Sequence, residues 1–212
     1  MSAPAIVLLL LALGAAGANW LAVAHDNKRV EYVSKPATIL LLVGCALVLH
    51  PASEVQRGFF VAALLLSLFG DILLMLPRDR FLAGLGAFLL AHVAFSAGFI
   101  ASDFSAARGA LAMTFLIIVG AVVMQRVIRG VRAQGKPGVA PAVLAYGVAL
   151  SFMVAFAFAS RQPLAVVPAL LFYFSDGVIS FRRFVAPRPW MPVAIIVTYQ
   201  LAQVGLVLAL AG

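Results

Sequence analysis

Eight apolar runs follow one another along this chain, and each is long enough to cross a membrane as a helix. A helix needs about 20 mostly apolar residues to cross the ~30 Å hydrocarbon core of a bilayer. The runs cover residues 3–24, 36–50, 57–76, 81–101, 109–128, 139–159, 162–181 and 190–211. The sequence therefore predicts an all-α polytopic membrane protein with eight transmembrane helices. Residues 1–212 would form a single transmembrane domain.

The composition excludes several other classes of protein. Hydrophobic residues make up 65% of the chain and charged residues only 10%, whereas a soluble domain carries about 25% charged residues. A soluble enzyme, a disordered chain and a nucleic-acid-binding domain are therefore excluded. The formal net charge of +8 comes from basic residues in the short gaps between apolar runs. That placement is typical of topology signals and of contacts with lipid head groups, so we expect membrane lipids as partners and no nucleic acid.

The distribution of positive charge predicts an orientation. The loops after runs 1, 3, 5 and 7 hold twelve lysines and arginines, and the loops after runs 2, 4 and 6 hold three. Because cytoplasmic loops are enriched in these residues, the first set is predicted to be cytoplasmic and both termini to lie outside, in a bacterial inner membrane. No lysine or arginine precedes Lys28, so the first run lacks the basic start of a signal peptide and is expected to stay as a helix.

Two halves of the chain show a faint similarity at an offset of 105 residues. The offset aligns Phe69-Gly70-Asp71 with Phe174-Ser175-Asp176, Pro36 with Pro141 and Arg78 with Arg183. Two parallel four-helix repeats would place Asp71 and Asp176 at similar depths. Chance similarity between apolar sequences is the alternative, and both interpretations stay open.

Three acidic or basic residues lie inside the apolar runs and away from the ends of the runs: Asp71, His92 and Asp176. Such a group costs ~2.5 kcal/mol or more unless it faces a cavity or a partner, so it marks a functional site by default. Each aspartate stands six residues inside the predicted cytoplasmic end of its helix, at a depth of about 9 Å. No lysine or arginine within the runs is available to neutralise them. The same half of the membrane holds further polar side chains, namely Tyr146, Tyr199 and Gln203, which predicts a pocket with a polar floor and an apolar interior.

Two carboxyls that share a site of low polarity cannot both ionise readily. One would keep its proton and the other would not, which is the arrangement for general acid and general base catalysis through an oxocarbenium-like state. A metal site built from both aspartates and His92 is a weaker alternative, because the chain has no HExxH motif. A proton-coupled transporter or lipid flippase is another, but it needs polar residues through the full membrane depth. No cofactor is predicted.

Short motifs in the order and spacing of one family run along most of the chain. They are Lys35-Pro36, Ser67-x-x-Gly70-Asp71 with Leu74, Phe88-x-x-Ala91-His92, Tyr146, Ser175-Asp176 followed by Phe184, and Thr198-Tyr199-x-x-Ala202-Gln203. With these motifs the chain resembles the YhhN family of membrane proteins, which includes the animal lysoplasmalogenases. Gln200 departs from the pattern, where the family leads us to expect a second tyrosine.

The resemblance implies hydrolysis of the vinyl ether bond of lysoplasmalogens to a fatty aldehyde and a glycerophospho-alcohol. It implies Asp71 and Asp176 as the catalytic pair. Substrate or water would be held by His92, Tyr146, Tyr199 and Gln203, and the lipid phosphate by Lys35, Arg78 and Arg182. The family does not fix the natural lipid, so another lysolipid remains an alternative substrate.

Overall fold

Eight helices form the protein in a computed structural model, which describes residues 1–76, 80–160 and 162–211. The helices are α1 (Ala3–Ala24), α2 (Lys28–Val48), α3 (Glu54–Met75), α4 (Phe81–Ile100), α5 (Ala106–Ala133), α6 (Ala140–Ala159), α7 (Pro163–Phe184) and α8 (Met191–Ala209). A short 3₁₀ turn, Pro137–Val139, precedes α6. All eight helices are long and apolar enough to cross a membrane. The predicted all-α fold with eight spans is confirmed.

Helix α2 begins eight residues before the start predicted from the apolar run. Its first turn is capped by the Asn27 side chain, which accepts a hydrogen bond from the backbone N–H of Val30. Charged residues in the first two turns interrupt the apolar pattern, so the apolar run begins later than the helix. Pro36, where the run begins, lies inside the continuous helix. As a consequence, Lys35 lies two turns inside a spanning helix, where the sequence pattern had placed it in a loop.

Helices α3 and α4 pack with their backbones in close approach. A Cβ atom added to Gly70 would lie 2.6 Å from the Phe88 ring, and one added to Gly84 would lie 2.6 Å from the Leu74 side chain. Only glycine fits such a contact without displacing its neighbour. Because Asp71 follows Gly70, this close packing holds its carboxyl in the interior between the helices.

Helix α5 lies at the edge of the bundle and leaves a cleft beside it. It packs mainly against α6 and only lightly against α7, and few of its side chains are buried. It also continues past its predicted end at residue 128, so that Arg129 and Arg132 belong to its last turn and a half. The remaining helices enclose a core whose buried aromatic rings, including Phe60 and Phe95, meet edge to face.

Candidate active site

Asp71 forms the centre of the first polar group, which we name the Asp71 group (Lys35, Asp71 and Tyr199). Its Oδ1 lies 2.8 Å from the Lys35 ammonium, and its Oδ2 accepts a hydrogen bond of 2.7 Å from the Tyr199 hydroxyl. Only 1% of Asp71 is exposed. The expectation that no intramembrane cation neutralises the aspartates was therefore wrong for Asp71. The reason is the early start of α2, which carries Lys35 into the bundle.

Asp176 forms the centre of a second group, the Asp176 group (His92, Tyr146, Met153 and Asp176). The Tyr146 hydroxyl donates a short hydrogen bond to Asp176 Oδ2. His92 Nε2 lies 3.2 Å from the same carboxyl oxygen and 2.9 Å from the Tyr146 oxygen, while its Nδ1 lies 3.3 Å from the Met153 sulfur. Within the described residues, no lysine or arginine pairs with Asp176. Its partners are thus a phenol and an imidazole.

The two groups meet at one small cavity of about 60 Å³. Both aspartates line it, together with Lys35, Tyr146 and Tyr199. Since a single water needs roughly 10–15 Å³ of such volume, the cavity holds a few waters rather than a lipid. The buried ring of Phe172 packs between the groups. Its centroid lies 4.8 Å from the centroid of the His92 ring and 5.4 Å from that of the Tyr199 ring.

A much larger cleft of about 810 Å³ lies between α5, α6 and α7. Its walls are almost entirely apolar, with Met113, Val127 and Phe152 as examples from α5 and α6. Tyr146 and Asp176 line this cleft as well as the small cavity, whereas Asp71 lines only the small cavity. The Asp176 group therefore stands where the apolar cleft and the polar cavity meet.

Gln203 lies one helical turn deeper than Tyr199 on α8 and is fully buried. Neither of its amide atoms hydrogen-bonds to a described residue, and the same holds for the hydroxyl of Ser67, one turn before Asp71 on α3. Buried polar atoms without protein partners are the usual positions of ordered water. Gln203 does not line the small cavity, so it stands behind the site, away from the space between the carboxyls.

Arg182, one of the two arginines predicted to hold the phosphate, belongs to neither group. Arg182 is exposed in the last turn of α7, and Arg78 lies outside the described residues. Within those described residues, no three histidine, cysteine, aspartate or glutamate side chains come together as metal ligands. Sequence reasoning missed Met153 and Phe172, because buried apolar side chains beside a site look like any other core residue.

The fold and the site indicate the class of this protein, and the comparison with known proteins indicates its family. The fold and site define an all-α membrane protein with two buried aspartates on one cavity. The model of the YhhN family matches residues 30–210. The chain belongs to the YhhN family, as the sequence resemblance indicated.

Named relatives share a third of the aligned residues or slightly less. A lysoplasmalogenase of Mycobacterium bovis and one of Mycobacterium tuberculosis are each 34% identical over 174 residues, which cover 79% of this chain and 66% of the relative. The human protein named lysoplasmalogenase TMEM86B is 29% identical over 174 residues, covering 81% of this chain and 71% of the relative. The chain thus spans just under two thirds of the mycobacterial relatives. No solved structure matches it at a significant level.

Proposed function

We propose that this protein hydrolyses the vinyl ether bond of lysoplasmalogens, single-chain phospholipids with an ethanolamine or choline head group. The products are a fatty aldehyde and the glycerophospho-alcohol. The observation that carries the proposal is the pair of buried carboxyls on one water-sized cavity, each hydrogen-bonded by its own tyrosine. The names of the mycobacterial and human relatives support it.

Vinyl ether hydrolysis needs the two functions that a carboxyl pair supplies. An acid donates a proton to the second carbon of the alkenyl chain, which leaves an oxocarbenium ion at the first carbon and the ether oxygen. Water adds to the first carbon and gives its proton to a base, which forms a hemiacetal. The hemiacetal then collapses to the aldehyde: its hydroxyl gives its proton to the carboxylate of the former acid, and the former base gives the proton that it took from water to the leaving glycerol oxygen. Overall, one water is consumed and both carboxyls return to their starting states.

The surroundings of the two carboxyls favour different roles. Lys35 compensates the charge of Asp71, which favours the carboxylate form that a base requires. Asp176 has only a phenol and an imidazole as partners, and it lies on the wall of the apolar cleft, where a hydrocarbon chain would present its first carbons. Asp176 is therefore the proton donor and Asp71 the base that activates water.

The remaining polar residues position water and the head group. Water occupies the small cavity between the carboxyls, where Tyr199 and Tyr146 fix the carboxyl oxygens that they hydrogen-bond. His92 holds Tyr146 and Asp176 in place, and Gln203 orients a buried water behind Tyr199. Arg182 and Arg78 bind the lipid phosphate, assisted by Lys35, whose side chain is 14% exposed.

Aldehyde release by the purified protein tests the proposal. The substrate is lysoplasmenyl-ethanolamine, and an ester-linked lysophosphatidyl-ethanolamine serves as the comparison. Aldehyde from the vinyl ether, with no fatty acid from the ester, is the expected result, and Asp71→Asn and Asp176→Asn should each abolish it. Fatty acid from the ester with no aldehyde would make the protein a hydrolase of another lysolipid. If the folded protein releases neither product, the hydrolase proposal is overturned.

We also propose that the site opens towards the cytoplasmic side of a bacterial inner membrane, with both termini outside. The support is the excess of basic residues in and beside the connections from α1 to α2, α3 to α4, α5 to α6 and α7 to α8. Because the native Cys45 is fully buried, single cysteines introduced as Lys136→Cys or Ala52→Cys report their own accessibility. A membrane-impermeant maleimide should label only Ala52→Cys in intact spheroplasts and both variants after lysis. The reverse labelling would invert the orientation.

A further inference from the structure

The cleft between α5, α6 and α7 opens sideways towards the bilayer. Its rim consists of apolar side chains that are substantially exposed, such as Ile117 on α5, Leu144 on α6 and Phe174 on α7. Its lining extends along α5 from Met113 to Val127, which corresponds to about 21 Å at 1.5 Å per residue. One leaflet contributes about 15 Å of hydrocarbon to a ~30 Å core, so the cleft is longer than the hydrocarbon of one leaflet is thick.

The volume of the cleft also suits a ligand. Binding pockets for small molecules measure ~300–1,000 Å³ and are mostly apolar with a few convergent polar groups. This cleft, at about 810 Å³, has apolar walls and the Asp176–Tyr146 pair on one side. A bare surface groove for bulk lipid has no reason to adjoin a buried, hydrogen-bonded carboxyl.

We propose that this cleft binds the hydrocarbon chain of a single-chain lipid, which reaches Asp176 laterally from the bilayer. The inference rests on the proposed function and specifies where its substrate lies. The adjacency of the two spaces carries the argument, because Tyr146 and Asp176 line both the cleft and the water-sized cavity. The chain lies along α5 with its first carbons at Asp176, and the ether oxygen faces the polar cavity.

Gly177, the residue after Asp176, offers a direct way to fill the cleft. It belongs to the lining, and a Cβ atom added there meets no other atom within 4 Å. A leucine at this position would occupy the space of the lipid chain without displacing protein atoms near its Cβ. Gly17 on α1 is a matched control, since it is equally half-buried, has equal space around an added Cβ and lines neither cavity.

Photo-crosslinking separates this inference from the proposed reaction, because labelling requires binding and no hydrolysis. The probe is an alkyl-ether lysophosphatidyl-ethanolamine with a diazirine in its chain, bound to the full-length protein in nanodiscs. Mass spectrometry should locate the label on the cleft-facing residues of α5, between Met113 and Met124. Gly177→Leu should lower that labelling at least about tenfold, as expected for a filled apolar pocket, and Gly17→Leu should leave it unchanged.

Each outcome decides one claim. Unaltered labelling in Gly177→Leu, or equal competition by a diacyl phospholipid, would show that bulk lipid fills the cleft and would overturn the inference. If the probe labels the cleft but the protein releases no aldehyde, the inference holds for lysolipid chains and the proposed reaction is wrong. If Gly177→Leu fails to fold, Ser151→Phe fills the cleft from α6 and is subject to the same criteria.

Discussion

The Asp71 group and the Asp176 group share one design and differ in charge. In each, a buried carboxyl accepts a hydrogen bond from a buried tyrosine on another helix. Asp71 has in addition a lysine at 2.8 Å, whereas Asp176 has His92 and an open side towards the apolar cleft. The two carboxyls at one cavity thus have different surroundings, a cation beside one and an apolar cleft beside the other.

Removing either carboxyl should give the largest effect. Asp176→Asn and Asp71→Asn keep the side-chain volume and remove the proposed proton donor or the proposed base. Each should lower kcat/KM for lysoplasmenyl-ethanolamine by about 10²- to 10⁴-fold, the usual contribution of a general acid or base. The measurement is aldehyde release, with thermal unfolding in detergent as the control for folding. Full activity in either variant would end the assignment of that aspartate as a catalytic residue.

Removing the cation from the Asp71 group should reduce stability as well as activity. Lys35→Met leaves Asp71 buried without a counter-charge, and breaking one side of a buried ion pair costs about 3–5 kcal/mol. The free energy of unfolding should recover in the double variant Lys35→Met/Asp71→Asn, while activity should not. Lys28→Met removes an exposed pair on the same helix and should cost less than about 1 kcal/mol. Equal losses from the two single lysine variants would contradict the importance of the buried pair.

The two tyrosines should have intermediate and similar effects. Tyr199→Phe and Tyr146→Phe each remove one hydrogen bond to a carboxyl group, worth about 1.5–3 kcal/mol. The account predicts a loss of about tenfold or more in kcat/KM for each. It also predicts that combining Tyr199→Phe with Asp71→Asn adds little to the Asp71→Asn loss, since both changes act on one unit. Additive losses in that double variant, measured by aldehyde release, would show that Tyr199 acts independently of Asp71.

Gln203 should have the smallest effect of the site residues. Gln203→Leu removes the amide that we propose orients a buried water behind Tyr199, and one such hydrogen bond contributes roughly 1 kcal/mol. We expect a loss of about fivefold in kcat/KM. Gln200→Leu is the matched control, because Gln200 is also buried without a partner among the described residues and lies on a neighbouring face of α8. An equal effect of both variants would mean that Gln203 has a general packing role.

Much of the fold could be predicted from the sequence, because the bilayer imposes a length and a polarity on each span. The eight runs and their order were predicted in this way, and Asp71, His92 and Asp176 stood out as ionisable residues in apolar surroundings. Helix α2 was the exception. Its first turns carry Lys28, Glu31 and Lys35, so hydropathy placed its start after the lysine that pairs with Asp71.

The arrangement of the site could not be predicted to the same extent. Which tyrosine hydrogen-bonds which aspartate depends on helix rotation, and each helix here presents polar and apolar residues without a strong periodic pattern. The width of the cleft depends on the distance between α5 and α7, and the residue pattern of neither helix predicts that distance. The proposed internal repeat stays a prediction, since the packing of the helices does not test it.

The division of labour between the two aspartates is tested most directly by chemical rescue with azide. Azide adds to an oxocarbenium ion without needing a base, so it can replace activated water but not the proton donor. Asp71→Ala should therefore convert lysoplasmenyl-ethanolamine to its 1-azidoalkyl ether as azide is added, detected by mass spectrometry, and Asp176→Ala should form no such product at any azide concentration. Rescue of Asp176→Ala alone, or equal rescue of both variants, would contradict the assignment of Asp176 as the acid and Asp71 as the base.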